Sequence, residues 1–158
     1  MNNGKRFEQN FRKSIPDSPN IYYYRLKDGT ASWSNDSKTR FQSNNIADSF
    51  LFCYGKLLIL ELKAHKGKSI PLNCIRKNQV DGMTEASCKQ NVLPFLVVYF
   101  SDVERCFALP IQGYNLFVAS FNRKSIPLDY FVTNGIEINV EKLRSNYRYD
   151  IETFLDEI

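Results

Sequence analysis

The sequence has a single histidine, His65, and its four cysteines include no Cys-x-x-Cys pair. Structural zinc sites combine several cysteine and histidine ligands at short spacings, so the sequence argues against a zinc protein. We expect reduced thiols in the core or on the surface at Cys53, Cys74, Cys88 and Cys106. A glycine-rich phosphate loop is also missing, which argues against the common nucleotide-binding motifs.

Long apolar runs are missing as well. No stretch approaches the roughly 20 apolar residues that a membrane-spanning helix needs. The start of the chain is polar and aromatic, with no apolar signal region. We therefore expect a cytoplasmic protein with no membrane partner, and its small size would suit a bacterial or phage-encoded protein acting in the host cell.

The length of 158 residues fits a single domain, and a hydrophobic content of 43% is enough for one core. The net charge of +4 is unevenly distributed. Residues 1–80 carry 14 Lys and Arg against 6 Asp and Glu, whereas residues 81–158 carry 7 against 11. A cationic half favours a polyanionic partner such as DNA, through counterion release and electrostatic steering. Lysines that only keep the protein soluble are the alternative.

Two apolar, β-prone runs separated by the Gly-Lys pair at residues 55–56 predict a β-hairpin with a two-residue loop. Counting outward from this loop places Asp48 directly opposite Lys63. Because side chains alternate along a strand, Glu61 and Lys63 share one face about 7 Å apart, and Asp48 lies on that face too. The sequence therefore predicts two carboxylates and one amine at one end of an apolar hairpin.

These three groups suit a divalent metal. Isolated buried charges are costly, whereas Mg²⁺ binds carboxylate oxygens and completes its octahedron with water. Asp48 and Glu61 would bind Mg²⁺, and Lys63 would activate the attacking water or stabilise charge that develops on a phosphate. The alternative is that Asp48 and Lys63 form only a cross-strand ion pair at a sheet edge.

Short motifs follow one another along almost the whole chain: Gly4-Lys5-Arg6-Phe7-Glu8, Asn45-x-Ala47-Asp48, Glu61-Leu62-Lys63-Ala64, Ser69-Ile70-Pro71-Leu72 with Gln79, Arg123-Lys124-Ser125-Ile126-Pro127-Leu128, and residues 149–155. In order and spacing they resemble the Gly-x-x-Phe-Glu helix, the Asn-Pro-x-Asp segment, the Glu-x-Lys core and the C-terminal region of one family. This family is the RecU-type Holliday junction resolvases, in the PD-(D/E)xK nuclease superfamily.

The resemblance implies an α/β fold of the restriction-endonuclease-like type, with a mixed central sheet flanked by helices in a single domain. It implies a homodimer that cuts four-way DNA junctions with symmetric nicks, by Mg²⁺-dependent phosphodiester hydrolysis. Mn²⁺ is expected to replace Mg²⁺. A restriction-type or flap-type endonuclease on the same fold, and a DNA-junction-binding protein without catalysis, are the alternatives.

Further residues are expected to support the active site or to bind DNA. The backbone carbonyl of Leu62 would be another metal ligand, and the resemblance makes Glu8 and Gln79 auxiliary groups at the active site. The alternatives are an exposed glutamate and a solvent-facing glutamine. Lys66 and Lys68, in the basic turn after the Glu-x-Lys motif, would contact DNA phosphates, unless they belong only to an exposed loop.

Residues 27–45 make a long polar connection, rich in Gly, Ser, Asn and charged residues. At this position RecU-like proteins have a stalk that is thought to enter the open centre of a four-way junction. Lys38 and Arg40 would then contact phosphates, and Trp33 and Phe41 would stack on unpaired bases. A loose loop is the alternative.

Periodicity predicts most of the regular elements. They are a first helix ended by Pro16, a strand at residues 21–26, a helix at 73–90, strands at 93–100 and 105–111, a helix at 112–121, a helix capped by Ser125, and a last helix from Asp150.

Overall fold

The regular elements follow the apolar periodicity of the chain. The computed structural model describes residues 3–26 and 45–158. In these ranges the helices are α1 (Asn3–Lys13), α2 (Lys77–Ala86), α3 (Ile111–Ser120), α4 (Leu128–Asn134) and α5 (Ile151–Asp156), and Leu72–Cys74 forms a 3-10 turn. The strands are β1 (Ile21–Arg25), β2 (Ser49–Cys53), β3 (Lys56–His65), β4 (Ser69–Pro71), β5 (Val92–Phe100), β6 (Arg105–Pro110), β7 (Ser125–Pro127), β8 (Ile136–Ile138), β9 (Val140–Lys142) and β10 (Tyr147–Tyr149). None of these helices is long and apolar enough to span a membrane.

Six of the described strands form the central sheet, in the order β1-β2-β3-β5-β6-β8. Strands β3 and β5 are parallel, and the other neighbours in this sheet are antiparallel. Helices cover both faces of the sheet. The predicted α/β architecture, a mixed central sheet flanked by helices, is confirmed.

Strand β3 separates two cores, because its side chains alternate between the faces of the sheet. The first core, under α1 and α5, contains Phe7, Phe11, Leu58, Leu60, Leu62 and Phe154. The second core, under α2, α3 and α4, contains Ile59, Met83, Leu96, Phe117 and Phe131. Glu61 faces the second core, since it follows Ile59 by two positions on the strand.

The β2–β3 hairpin turns one residue earlier than the sequence predicts. Its loop is at residues 54–55, whose φ values of +47° and +80° are the two positive angles that a type I′ turn requires. Ser49 therefore pairs with Leu60, and the same register places Asp48 beside Glu61. The prediction that Asp48 lies directly opposite Lys63 is wrong. Because the pairing is displaced by two positions, an even number, the strand side chains keep their predicted faces.

Two predicted helices are corrected as well. The helix expected at residues 73–90 is limited to Lys77–Ala86, and its start is fixed by the Gln79 side chain, which caps it. Ser125 does not cap α4, because it lies in strand β7. The last helix starts at Asp150 as predicted, and Asp150 caps it, since its side chain accepts a hydrogen bond from the first turn of that helix.

Strands β4 and β7 form a ribbon from two copies of one short sequence. Lys-Ser-Ile-Pro-Leu occurs at residues 68–72 and again at residues 124–128. The copies pair antiparallel, with Ile70 opposite Ile126. Both isoleucines are buried in the second core, so the ribbon is anchored on the same face of the sheet as Glu61.

Candidate active site

Backbone hydrogen bonds hold Asp48 between β1 and β3. Its N–H donates to Leu60 O at 3.1 Å, and its carbonyl accepts from Leu26 N at 2.9 Å. Its side-chain Oδ2 accepts a hydrogen bond from Leu62 N at 2.8 Å. The carboxylate of Asp48 is therefore fixed against strand β3, next to Glu61.

Glu61 is fully buried, which is rare for a carboxylate. Lys63 Nζ lies 2.5 Å from Glu61 Oε1, and the lysine side chain is 26% exposed. Neither oxygen of Glu61 accepts a hydrogen bond of regular geometry from a described residue. Lys63 acts on Glu61 mainly through its positive charge, whereas the uncharged Gln79 acts through the contact of its side-chain amide. The aspartate, the glutamate and the lysine singled out in the sequence are thus neighbours in the fold.

The pKa of Glu61 is raised from its ordinary value of 4.5 to about 7. Burial is the largest cause, because it penalises the charged form, and the negative charge of Asp48 adds to it. Lys63 and Gln79 act in the opposite direction and lower the pKa. A cation bound between the two carboxylates would counteract both burial and the charge of Asp48, the two effects that raise the pKa of Glu61.

We expect Glu61→Gln to stabilise the protein in EDTA at neutral and alkaline pH. The folded wild type keeps the Glu61 proton up to about pH 7, whereas the unfolded chain loses it near 4.5. Between these two pH values the folded state binds more protons than the unfolded chain does. The stability that the raised pKa of Glu61 contributes is therefore fully present below about pH 4.5 and is lost as the pH rises through 7. Above about pH 8 the variant should gain about 1–3 kcal/mol in unfolding free energy over wild type.

Thermal and denaturant unfolding between about pH 4 and about pH 9 measures this difference. The matched control is Glu85→Gln, an exposed position on α2 that carries the same change of charge. A gain in Glu61→Gln that is equally large at both ends of the pH range would contradict the raised pKa.

Gln79 connects helix α2 to this cluster. Its side chain is buried, at 1% exposure, and Oε1 accepts a hydrogen bond from Arg76 N at 3.1 Å. The same side chain reaches Glu61, whose pKa it lowers. Gln79 is therefore not the solvent-facing residue that the sequence left open as an alternative.

The segment that leads into Asp48 packs against α2. Asn78 Nδ2 donates a hydrogen bond to Asn45 O at 3.3 Å. A Cβ atom on Gly82 would lie only 2.3 Å from Ile46 Cγ2, so this glycine allows the close approach of the segment. A larger residue at position 82 would displace Ile46, and α2 thus sets the position of Asp48.

Glu8 lies on α1, which packs on the first core. Its Oε2 is 2.9 Å from Arg25 Nη2. Arg25 is the last residue of β1 and pairs with Ser49, the neighbour of Asp48. The structure therefore places Glu8 in an ion pair near the end of the sheet that holds Asp48, and its auxiliary role stays a prediction.

The predicted DNA contacts fall into two groups. Lys66 and Lys68 are exposed in the turn after β3, and the end of β3 is tied to β5 because His65 O accepts a hydrogen bond from Ser101 N at 2.9 Å. The other four lie outside the described residues: Trp33, Lys38, Arg40 and Phe41.

Comparison with known proteins bears on the whole chain. The family model of RecU, recombination protein U, matches residues 20–152. The chain belongs to the RecU family. The resemblance drawn from the short motifs is thereby confirmed. A similar relative is YotM, an SPbeta prophage-derived uncharacterized protein of Bacillus subtilis strain 168, which is 28% identical over 172 residues that cover 99% of this chain and 87% of YotM.

A solved structure shares the fold of this RecU-family chain. It is Hjc from Archaeoglobus fulgidus, a Holliday junction resolvase of an archaeal hyperthermophile. The TM-score is 0.53 at 14% identity, and the match covers 85% of this chain and 95% of Hjc. At this level of identity the likeness shows the fold alone, and it confirms the predicted nuclease fold.

The residues of the RecU-family site fit a hard divalent cation. The N–H and C=O groups of a strand residue point to the same side, so the Leu62 carbonyl is directed toward Asp48, whose Oδ2 bonds to Leu62 N. Residues 3–26 and 45–158 hold no cluster of three or more His, Cys, Asp or Glu side chains suited to a metal. The ligands would therefore be Asp48, Glu61, this carbonyl and water. Mg²⁺ suits this set, because it binds through one or two carboxylates and keeps several waters.

Sequence reasoning missed the residues that position this RecU-family site. Arg25, Asn78 and Gly82 act through contacts with distant segments, and no local pattern in the sequence reveals such contacts. The pairing of β4 with β7 is different, because the pentapeptide shared by residues 68–72 and 124–128 can be recognised in the sequence.

Proposed function

We propose that this protein is a DNA endonuclease that resolves Holliday junctions by Mg²⁺-dependent phosphodiester hydrolysis. The observation that carries the proposal is the cluster of Asp48, Glu61 and Lys63 at one end of the β2–β3 hairpin, in a chain of the RecU family. That Hjc, which shares the fold, is a Holliday junction resolvase supports the proposal. An intact cluster argues against a junction-binding protein that has lost catalysis.

Each residue of the cluster has a part in the proposed reaction. The two carboxylates and the Leu62 carbonyl would hold Mg²⁺, or Mn²⁺ in its place. A bound ion of this kind supplies Lewis-acid stabilisation of charge on the scissile phosphate. Lys63 orients the attacking water and stabilises negative charge in the transition state through Nζ. Gln79 holds the Glu61 carboxylate in place, and Glu8 assists through its neighbour Arg25.

A second copy of the chain is the partner that symmetric cutting requires. One face of β1 and β2 supports this partner, since Tyr22, Tyr24, Phe52 and Tyr54 are 64, 45, 47 and 60% exposed. Taking about 200 Å² for a whole side chain, these rings expose about 400 Å², half of what one partner buries in a standard interface. We infer a homodimer that packs these faces together, which brings its two active sites to either side of the two-fold axis.

DNA contacts complete the proposal. The chain would act as a single nuclease domain, residues 1–158, with residues 27–45 as a stalk that enters the junction centre. Within the stalk, Lys38 and Arg40 would bind phosphates, and Trp33 and Phe41 would stack on unpaired bases. Lys66 and Lys68 would bind phosphates of a junction arm. The prophage origin of YotM supports a phage-encoded enzyme that acts in the cytoplasm of the host.

The direct test is a cleavage assay with a labelled four-way junction and a linear duplex of the same sequence. With Mg²⁺ or Mn²⁺ we expect two symmetric nicks in the junction and little cutting of the duplex, and with EDTA no cutting of either. The protein should sediment as a dimer. A monomer that cuts duplex and junction equally would leave a nuclease but exclude a resolvase.

Replacing residues 30–42 with a short Gly-Ser linker should sharply reduce junction cleavage, by about tenfold or more if each base stacked on an aromatic ring contributes about 1–3 kcal/mol. Folding should survive, because residues 30–42 are mostly polar in sequence and offer little apolar surface for burial in a core. The measurements are the cleavage rate on the junction and the unfolding temperature. The matched control restores Trp33 and Phe41 alone within the linker. Unchanged junction cleavage in the linker variant would exclude the stalk role.

A further inference from the structure

Four basic residues flank the ribbon of β4 and β7. Lys66 and Lys68 precede β4, Arg123 and Lys124 precede β7, and all four are exposed. In the part of the chain that the structure describes, none of them forms an ion pair. Glu61 and Asp129 are the acidic residues closest to them in sequence, before the first arm and after the second. We call these four residues the ribbon basic surface.

The ribbon fixes Lys68 and Lys124, which directly precede its two strands, in equivalent positions. Leu128 N donates a hydrogen bond to Lys68 O at 2.8 Å, and Leu72 N donates to Lys124 O at 2.9 Å. Each lysine is thus held at its backbone by the opposite arm. Their backbone positions lie at diagonal corners of the ribbon, four residues of extended strand apart, which is about 13 Å.

The ribbon basic surface adjoins the proposed active site. Strand β3 carries Glu61 and Lys63 and ends at His65, and β4 begins at Ser69. The buried isoleucines of the ribbon belong to the second core, which is the core that Glu61 faces. Lys66 and Lys68 therefore follow Lys63 within five residues of chain, and the ribbon packs on the face of the sheet that carries the two carboxylates.

We propose that the ribbon basic surface binds the backbone phosphates of a duplex DNA arm next to the cutting site. The proposal rests on the proposed endonuclease function and adds Arg123 and Lys124 to the predicted contacts. A duplex presents one phosphate on each strand every ~3.4 Å of its axis, so two lysines about 13 Å apart contact different phosphates. Exposed cations spread over this distance suit an extended polyanion rather than a single small anion.

Binding of this kind is independent of base sequence and depends steeply on salt. Each lost lysine–phosphate contact should lower the slope of log affinity against log salt by about 1. Lys68→Ala/Lys124→Ala should therefore lower the slope by about 2 and weaken binding about tenfold or more at low salt. The loss should be equal for a four-way junction and a linear duplex, because the arms are duplex in both.

The experiment measures affinity for both DNAs over a salt series in EDTA, and single-turnover cleavage at saturating protein with Mg²⁺. The matched control is Lys13→Ala/Lys89→Ala, which removes the same charge from exposed positions on α1 and after α2. We expect the control to keep the wild-type slope. Repeated at protein concentrations below saturation, cleavage by the ribbon variant should slow in proportion to its lost affinity, whereas cleavage by the control should stay at the wild-type rate.

Several outcomes would overturn the proposal. A ribbon variant with the affinity and salt slope of the control excludes the surface, while junction cutting by wild type leaves the endonuclease function intact. If Lys68→Ala alone weakens DNA binding and Lys124→Ala binds like wild type, only the turn after β3 contacts DNA and the proposed ribbon surface is rejected. A wild-type protein that binds neither DNA rejects the ribbon surface and the endonuclease function together.

Discussion

Asp48→Asn and Glu61→Gln are each expected to reduce Mg²⁺-dependent junction cleavage by about 10³-fold or more, while junction binding in EDTA stays near wild type. Removing a ligand carboxylate weakens the site for an ion that stabilises transition-state charge by several kcal/mol. In the proposed complex, junction binding depends mainly on phosphate contacts outside the carboxylate cluster. Asp48→Asn should also fold normally, since the amide oxygen of asparagine can still accept the hydrogen bond from Leu62 N.

The measurements for this pair are single-turnover cleavage, junction affinity and calorimetric titration with Mn²⁺, whose binding should weaken in both variants. Asp81→Asn and Glu85→Gln on the exposed side of α2 are matched controls with the same chemical change. Wild-type cleavage in either active-site variant would reject the assignment of the active site.

Lys63→Ala is expected to lower the cleavage rate by about 10²-fold, with metal affinity nearly unchanged at high pH. In the proposed reaction this amine orients water and meets the developing charge, and it lies 2.5 Å from Glu61 Oε1. Because Lys63 also lowers the pKa of Glu61, its loss should make metal binding weaker at neutral pH and leave it intact well above pH 7.

Cleavage and Mn²⁺ titration at two pH values separate these effects. Lys56→Ala, on the same strand but at the far end of the hairpin, is the matched control. If Lys63→Ala loses metal binding and cleavage in equal proportion at both pH values, the lysine only supports the carboxylates, which is the ion-pair alternative.

The sequence could predict which strand side chains share a face, because alternation along β2 and β3 survives an even shift in pairing. It could not predict the exact pairing. The Gly-Lys pair at residues 55–56 looks like a loop by composition, but the loop begins at Tyr54 with a positive φ that a non-glycine residue seldom adopts. Asp48 consequently lies closer to Glu61 than to Lys63 along the ladder.

Local sequence patterns could not predict where the helices lie relative to the carboxylate cluster. The start of α2 depends on the cap that the Gln79 side chain forms. The close packing of α2 against the segment before Asp48 depends on Gly82. Both are tertiary contacts. The β4–β7 pairing is also non-local, and there a repeated pentapeptide gave a clue that periodicity alone does not use.

The ribbon also has a consequence for the time course of folding. Ser69 pairs with Pro127, and α2, β5, β6 and α3 all lie between its two arms in the chain. Such distant pairings form late, because closing a long loop costs entropy before the contact stabilises anything. A chain still in synthesis that ends before residue 125 has Lys68 but no second arm. Its lysines therefore reach their paired arrangement only after most of the sheet has formed, so the phosphate-binding surface appears at the end of folding rather than during it.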